Sequence, residues 1–291
     1  MRQWMTMLSS VVLSSVLTTQ VPATSVESAP VPVSNPVLFE APTIETNIRP
    51  IFAYHEISSD FVSQGGNAKI AALQLRVALT DRLAFIATKD GYVWLEPHKV
   101  LQRKNGWANL AFGLKYAFLQ SDQYLATAGL RYEVASGDKD VFQGKGAGAL
   151  NPFLSAGILL NDHLSVIGYT GPRLPISGND STFWDTSAHV SYMIGSFAPL
   201  MEVNWVHALD GGRRLAVDQE GFDFFNLGSQ KSAGRGVVVQ GYGFRYRLGD
   251  GWELSGKQLN AEFGAIYETP ITDREDLFAW RVTTDVTFRI R

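Results

Sequence analysis

The sequence predicts an all-β fold, an up-and-down antiparallel transmembrane β-barrel of about twelve strands. Three observations predict it. Apolar and polar residues alternate with a period of two through most of the chain. The connections between these runs alternate in length, long then short. Large aromatic residues gather where the runs end. Period-two alternation means strands. Long and short connections taken in turn put every long loop on one rim, as in outer-membrane barrels.

The N-terminal stretch stands apart. "MRQWMTMLSSVVLSSVLTTQVPA", residues 1–23, has a single basic residue, Arg2, then an apolar stretch flecked with Ser and Thr, then Val21-Pro22-Ala23. This is the pattern of a secretory signal peptide, and it implies export to a bacterial envelope. Residues 24–47, "TSVESAPVPVSNPVLFEAPTIETN", are rich in Pro, Ser and Val and lack periodicity. Spaced prolines disfavour helix and central strand alike, so this stretch reads as an extended linker. A sharper alternative docks Val37-Leu38-Phe39 into a barrel mouth.

The barrel is expected over residues 48–291. Its longer connections are read at Glu56–Gly66, Lys89–Gly106, Ala135–Gly148, Gly171–Ser181, Asp210–Arg235 and Thr269–Leu277. Its short turns are read at Thr80–Arg82, Ser121–Gln123, Asn161–Asp162, Gly195–Ser196 and Gly249–Gly251, all rich in turn-forming residues. Between them, each run has one oily and one charged face. Leu110, Phe112, Leu114, Tyr116 and Phe118 oppose Gly113, Lys115 and Ala117. Periodicity alone does not say which face meets lipid. The oily faces lack the small-and-large mixing of a packed interior. Tyr116, Phe118, Tyr124 and Trp252 lie near short turns, with Trp107 and Tyr132 near long loops. Such rings favour the membrane interface. The oily face is therefore expected outward and the charged face inward. At the last short turn, Arg247 is expected opposite Glu253. A change of phase after Gly256 leaves either a bulge or a longer turn reaching Gln258.

Composition excludes several classes. The 291 residues include no cysteine, which removes disulfides, Cys-ligated zinc and thiol nucleophiles. The net charge of −3 offers no global field for nucleic acid. No apolar run is long enough for a mature spanning helix. "DGGRRLAVDQEGFD", from Asp210, matches no calcium loop. "GKGAG", from Gly144, lacks the end of a P-loop. No metal or other cofactor is implied.

The expected lumen lining is Arg76, Lys115, Arg131, Glu133, Asp185, His189, Glu202, Arg245, Arg247, Glu253, Arg281 and Asp285, with Arg289 beside them. These charges either form a salt-bridged interior or select solutes, as rings of side chains do in pores. The slight basic excess leans toward anions or neutral polar solutes. His189 and Ser191 share one face, and the Gly195-Ser196 turn folds Glu202 and Asn204 beside them. That raises the alternative of an outer-membrane lipid hydrolase. The oily "GFDFFNL" run, Gly221–Leu227, is expected to fold over or into the mouth.

The hairpin "LAFGLKYAFLQSDQYLATAGLRYEVASGD" resembles strand pairs of outer-membrane channels in the family labelled MetA-pathway of phenol degradation. "ETPITDREDLFAWRVTTDVTFRIR" resembles the closing strand of such barrels. The resemblance spans Ile48 to Arg291. It implies an outer-membrane channel or passive transporter for small solutes, with lipid and solute as partners and no catalytic motif to carry over. One departure is the C-terminus: such barrels usually end on an aromatic residue, and this chain ends Phe288-Arg289-Ile290-Arg291. A structural or surface-binding barrel with a plugged lumen is the remaining alternative.

Overall fold

The computed structural model describes residues 25–290 except 222 and 255–256, and for 250–254 and 257–258 it describes the backbone only. The expected signal peptide lies outside the described residues. The chain forms β1 (Thr46–Ile57), β2 (Gly66–Ala78), β3 (Leu83–Lys89), β4 (Tyr92–Pro97), β5 (Lys104–Trp107), β6 (Leu110–Gln120) and β7 (Tyr124–Val134). It continues with β8 (Ala149–Leu159), β9 (Leu164–Pro175), β10 (Thr182–Tyr192), β11 (Phe197–Asp210), β12 (Gly236–Leu254), β13 (Lys257–Pro270) and β14 (Trp280–Ile290).

Neighbouring strands are antiparallel, and β1 pairs with both β2 and β14. The sheet therefore has no seam and every wall strand has two partners. The result is a closed twelve-strand barrel with two extra strands. The extra pair, β4 and β5, corrects the expected long connection at Lys89–Gly106. Trp107 pairs with Tyr92 and Lys104 with Leu95, so the hairpin of β3 and β6 continues outward beyond a short interruption. Its outward rings, Tyr92, Trp94 and Trp107, pack edge to face at 4.9 and 5.2 Å.

Facing follows the alternation. On β6, Leu114 is 48% exposed on the outside, whereas its neighbour Lys115 is 1% exposed inside. The band of Phe52, Leu73, Phe112, Leu154, Trp205 and Tyr267 also faces outward. An apolar exterior around a charged interior, on a sheet closed so that no edge is left open to lipid, is the arrangement a lipid environment demands. This is an outer-membrane β-barrel.

The last short turn is corrected by register. The chain does not reverse at Gly249–Gly251. β12 runs on to Leu254, which pairs with Lys257, and register shifts at Arg247/Gly249 and Asp250/Trp252 absorb the change of phase. Glu253 consequently pairs with Gln258, and Arg247 pairs with Glu262.

The stretch read as a linker is packed inside the barrel. Val33 and Ser34 are fully buried, and Phe39 and Glu40 are 1% exposed. The segment begins beside a short turn, where Val26 N–H donates to Asp122 O at 2.8 Å. It climbs to a tight reversal in which Leu38 and Phe39 N–H donate to Asn35 O. It then descends into β1. Its prolines keep it extended and remove donors that the interior would have to satisfy. Inward glycines make the room. A Cβ on Gly157 would meet Val26 and Pro42 at 3.1 and 3.2 Å, and one on Gly264 would meet Arg245 at 2.7 Å.

Candidate functional site: an occupied, charged lumen

The interior is a chain of ion pairs in which the N-terminal segment takes part. Arg245 and Arg49 converge on Asp285. Arg245 grips it through Nη1 at 2.6 Å and Nη2 at 3.0 Å, and Arg49 Nη2 adds a bond of 2.5 Å. The same guanidinium groups donate to the segment: Arg245 to Val31 O at 2.7 Å and Pro32 O at 2.9 Å, Arg49 to Pro32 O at 3.0 Å. Higher up, Arg131 donates to Leu38 O at 2.8 Å and to Val37 O, while its plane lies 4.8 Å from the Phe153 ring. Tyr169 Oη, Asn151 Oδ1 and Thr88 Oγ1 also accept from it.

Arg76 and Lys115 meet at the one carboxylate the segment places deep inside. Glu40 accepts from Arg76 Nε at 2.9 Å, Arg76 Nη2 at 2.7 Å and Lys115 Nζ at 2.7 Å. Near the short-turn rim, Glu45 accepts from Arg289 at 2.9 Å, and Arg247 donates to Ser28 O at 2.9 Å.

His189, Glu202 and Ser191 sit in the wall beneath the segment. Register places His189 opposite Glu202, and His189 Nδ1 lies 2.8 Å from Glu202 Oε1. The carboxylate also accepts from Val33 N–H at 2.9 Å, Ser34 N–H at 2.7 Å and Ser34 Oγ. Ser191 bonds instead to Ser165 Oγ at 2.7 Å, and His189 Nε2 is buried without a partner. The hydroxyl that a hydrolase would activate is thus paired with a serine rather than with the imidazole.

The long-loop end is closed from above. Arg281 binds both Glu268, at 2.8 Å, and Asp223, at 2.8 Å. Asp223 belongs to the 211–235 connection. Burial disfavours its charge, but Arg281 outweighs burial and holds the carboxyl below its usual range. Phe224, Phe225 and Leu227 from the same connection are buried in one apolar cluster with Phe39, Phe153 and Tyr169. The oily run therefore folds into the mouth and meets the tip of the N-terminal segment. Asp185 pairs with Arg173 at 2.7 Å, and Glu133 with Lys89 at 2.7 Å.

The inward face thus holds Arg76, Lys115, Arg131, Glu133, Asp185, His189, Glu202, Arg245, Arg247, Arg281 and Asp285. The side chain of Glu253 is outside the described residues. Reasoning from sequence missed Glu40 and Glu45, because acids in an aperiodic stretch carry no facing signal. It also missed Lys89, Arg173 and Asp223, which lay in or beside expected loops. Among the described residues no cluster of His, Asp and Glu suits a metal ion.

A scan against protein-family models finds no match, and neither does a search of curated proteins. Solved structures do match. An outer-membrane channel from Pseudomonas putida F1 is similar over 90% of this chain and 100% of its own, with a TM-score of 0.53 and 11% identity. The likeness lies in the fold. A KdgM porin in complex with disordered oligogalacturonate aligns with 84% of this chain and 98% of its own at a TM-score of 0.43 and 11% identity.

Proposed function

We propose that the protein is an outer-membrane channel or passive transporter for small solutes, and that residues 25–45 shut its lumen at rest. The observation that carries this is the nature of the interior. A barrel wall this wide does not need charged residues at its centre for stability, since burying ions costs several kcal/mol each unless they are well paired. Here many of them find their partners on a non-wall segment, which enters from one rim and is held by hydrogen bonds rather than by sheet pairing. With that segment removed and the 211–235 connection withdrawn from the mouth, a polar, water-accessible passage with cations along it would remain. The resemblance to the MetA-pathway family, whose members are described as transport proteins, agrees with this reading.

The test is conductance in a planar bilayer. The barrel lacking residues 25–45, with residues 219–229 of the connection that fills the mouth replaced by a short Gly-Ser linker, should conduct steadily, and the full mature chain should conduct rarely. If the shortened barrel inserts yet passes neither ions nor small solutes, the channel reading fails and a structural barrel takes its place.

A further inference from the structure

Three features single out the surroundings of Glu40 within the lumen. The first is geometry. Arg76 presents Nε and Nη2 to the two oxygens of the Glu40 carboxylate at 2.9 and 2.7 Å, the fork-to-fork arrangement that suits carboxylates best. Lys115 Nζ adds a third donor at 2.7 Å. All three side chains are at most 6% exposed. The second is spare capacity. Arg76 Nη1 and Arg49 Nε are buried without a partner. Both residues line a small cavity of about 10 Å³ between segment and wall. The third is the neighbour of the acid. Phe39 is 1% exposed, 6.2 Å from the Tyr169 ring, in an apolar cluster with Phe153 and Ile167.

The cations belong to the wall and the acid belongs to the segment. Arg76 is on β2 and Lys115 on β6, so both stay in place when the segment moves. Without Glu40, the two cations face the lumen with no carboxylate in direct contact, and their donors stand open to a carboxylate that takes its place. The groups that Glu40 and Phe39 present together are a carboxylate and an apolar body.

We propose that Arg76 and Lys115, with the free edges of Arg76 and Arg49, form a carboxylate-binding site. Glu40 fills it in the shut barrel, and a small carboxylate with an apolar body fills it in the open one. Such a solute competes with Glu40 for the same donors and so favours release of the segment. A neutral solute of the same shape does not. The proposal rests on the channel reading and adds the solute class to it.

The test uses hexanoate against hexanamide. In detergent, the Glu40→Gln protein should bind hexanoate at least tenfold more tightly than hexanamide by calorimetry, and adding Arg76→Gln should abolish the difference. Equal binding of the two, or hexanoate binding untouched by Arg76→Gln, overturns the site. Because the chain has no native cysteine, a second arm leaves Glu40 intact. Thr43→Cys places a thiol at a position 2% exposed. Hexanoate should speed its maleimide labelling severalfold and hexanamide should not; equal rates overturn the proposal even if the Glu40 variant does not fold. A shortened barrel that conducts while hexanoate and hexanamide behave alike defeats this site and leaves the channel standing. A shortened barrel that is silent defeats the channel.

Discussion

Leu114 and Lys115 are adjacent in sequence and opposite in environment. One faces lipid and the other holds Glu40. Leu114→Arg should cost roughly 2–4 kcal/mol of barrel stability in bilayers, the range for a cation at mid-depth on a lipid face. Lys115→Met should leave insertion intact and loosen the N-terminal segment, seen as faster proteolysis near Val37. Asp285→Ala strands Arg49, leaves Arg245 with Glu262 at 3.8 Å, and should cost about 3–5 kcal/mol in a denaturant titration. Asp276, in the last long loop, behaves differently. Burial outweighs Arg274 and raises its carboxyl to about 6. A raised folded value means that the folded loop holds its proton longer than the unfolded chain does. The stabilisation is complete below the ordinary value near 3.8, falls as pH rises between the two, and is gone above about 6. Hydrogen exchange at Leu277 and Phe278, corrected for intrinsic rates, should quicken across that window, and Asp276→Asn should flatten the dependence.

At the scale of elements, most of the wall was legible because a strand with lipid on one side and charge on the other writes its facing into every second residue. The hairpin from Leu110 to Val134 shows this: β6 and β7 take the expected bounds, and Leu114 pairs with Leu130 on the outer face. Two elements were misread for identifiable reasons. β4 and β5 are short, and the break at Asp90-Gly91 interrupts the alternation, so a prolonged hairpin looked like a loop. The turn at Gly249–Gly251 has turn residues but sits within two register shifts, where glycine and aspartate serve a bulge instead. The N-terminal segment was least legible. A proline-rich stretch has no period, and its place is set by carbonyls that Arg49, Arg131 and Arg245 seek, which leave no mark on the segment's own sequence. Its fit does depend on readable residues: Gly264→Val should crowd Arg245 and Val33 and raise resting conductance, whereas the same change at Gly168, where a Cβ would meet only Ser187 O at 4.0 Å, should not affect conductance.

For the whole molecule, the closed wall and the occupied lumen make opposite demands. The wall is built without a seam, with β1 joined to both β2 and β14. Among the described residues, the segment is joined to the wall at β1 and otherwise held by side-chain and carbonyl bonds that can be exchanged for water or solute and by apolar packing of Val26, Val33 and Phe39. The central claim is that this segment is the gate. A disulfide between Ser34→Cys and Asn204→Cys tests it most directly, because Asn204 Nδ2 already donates to Ser34 Oγ at 2.8 Å and no native cysteine competes. In single-channel recordings under applied voltage, the oxidised protein should stay shut and the reduced protein should open. Equal conductance before and after reduction would contradict the account.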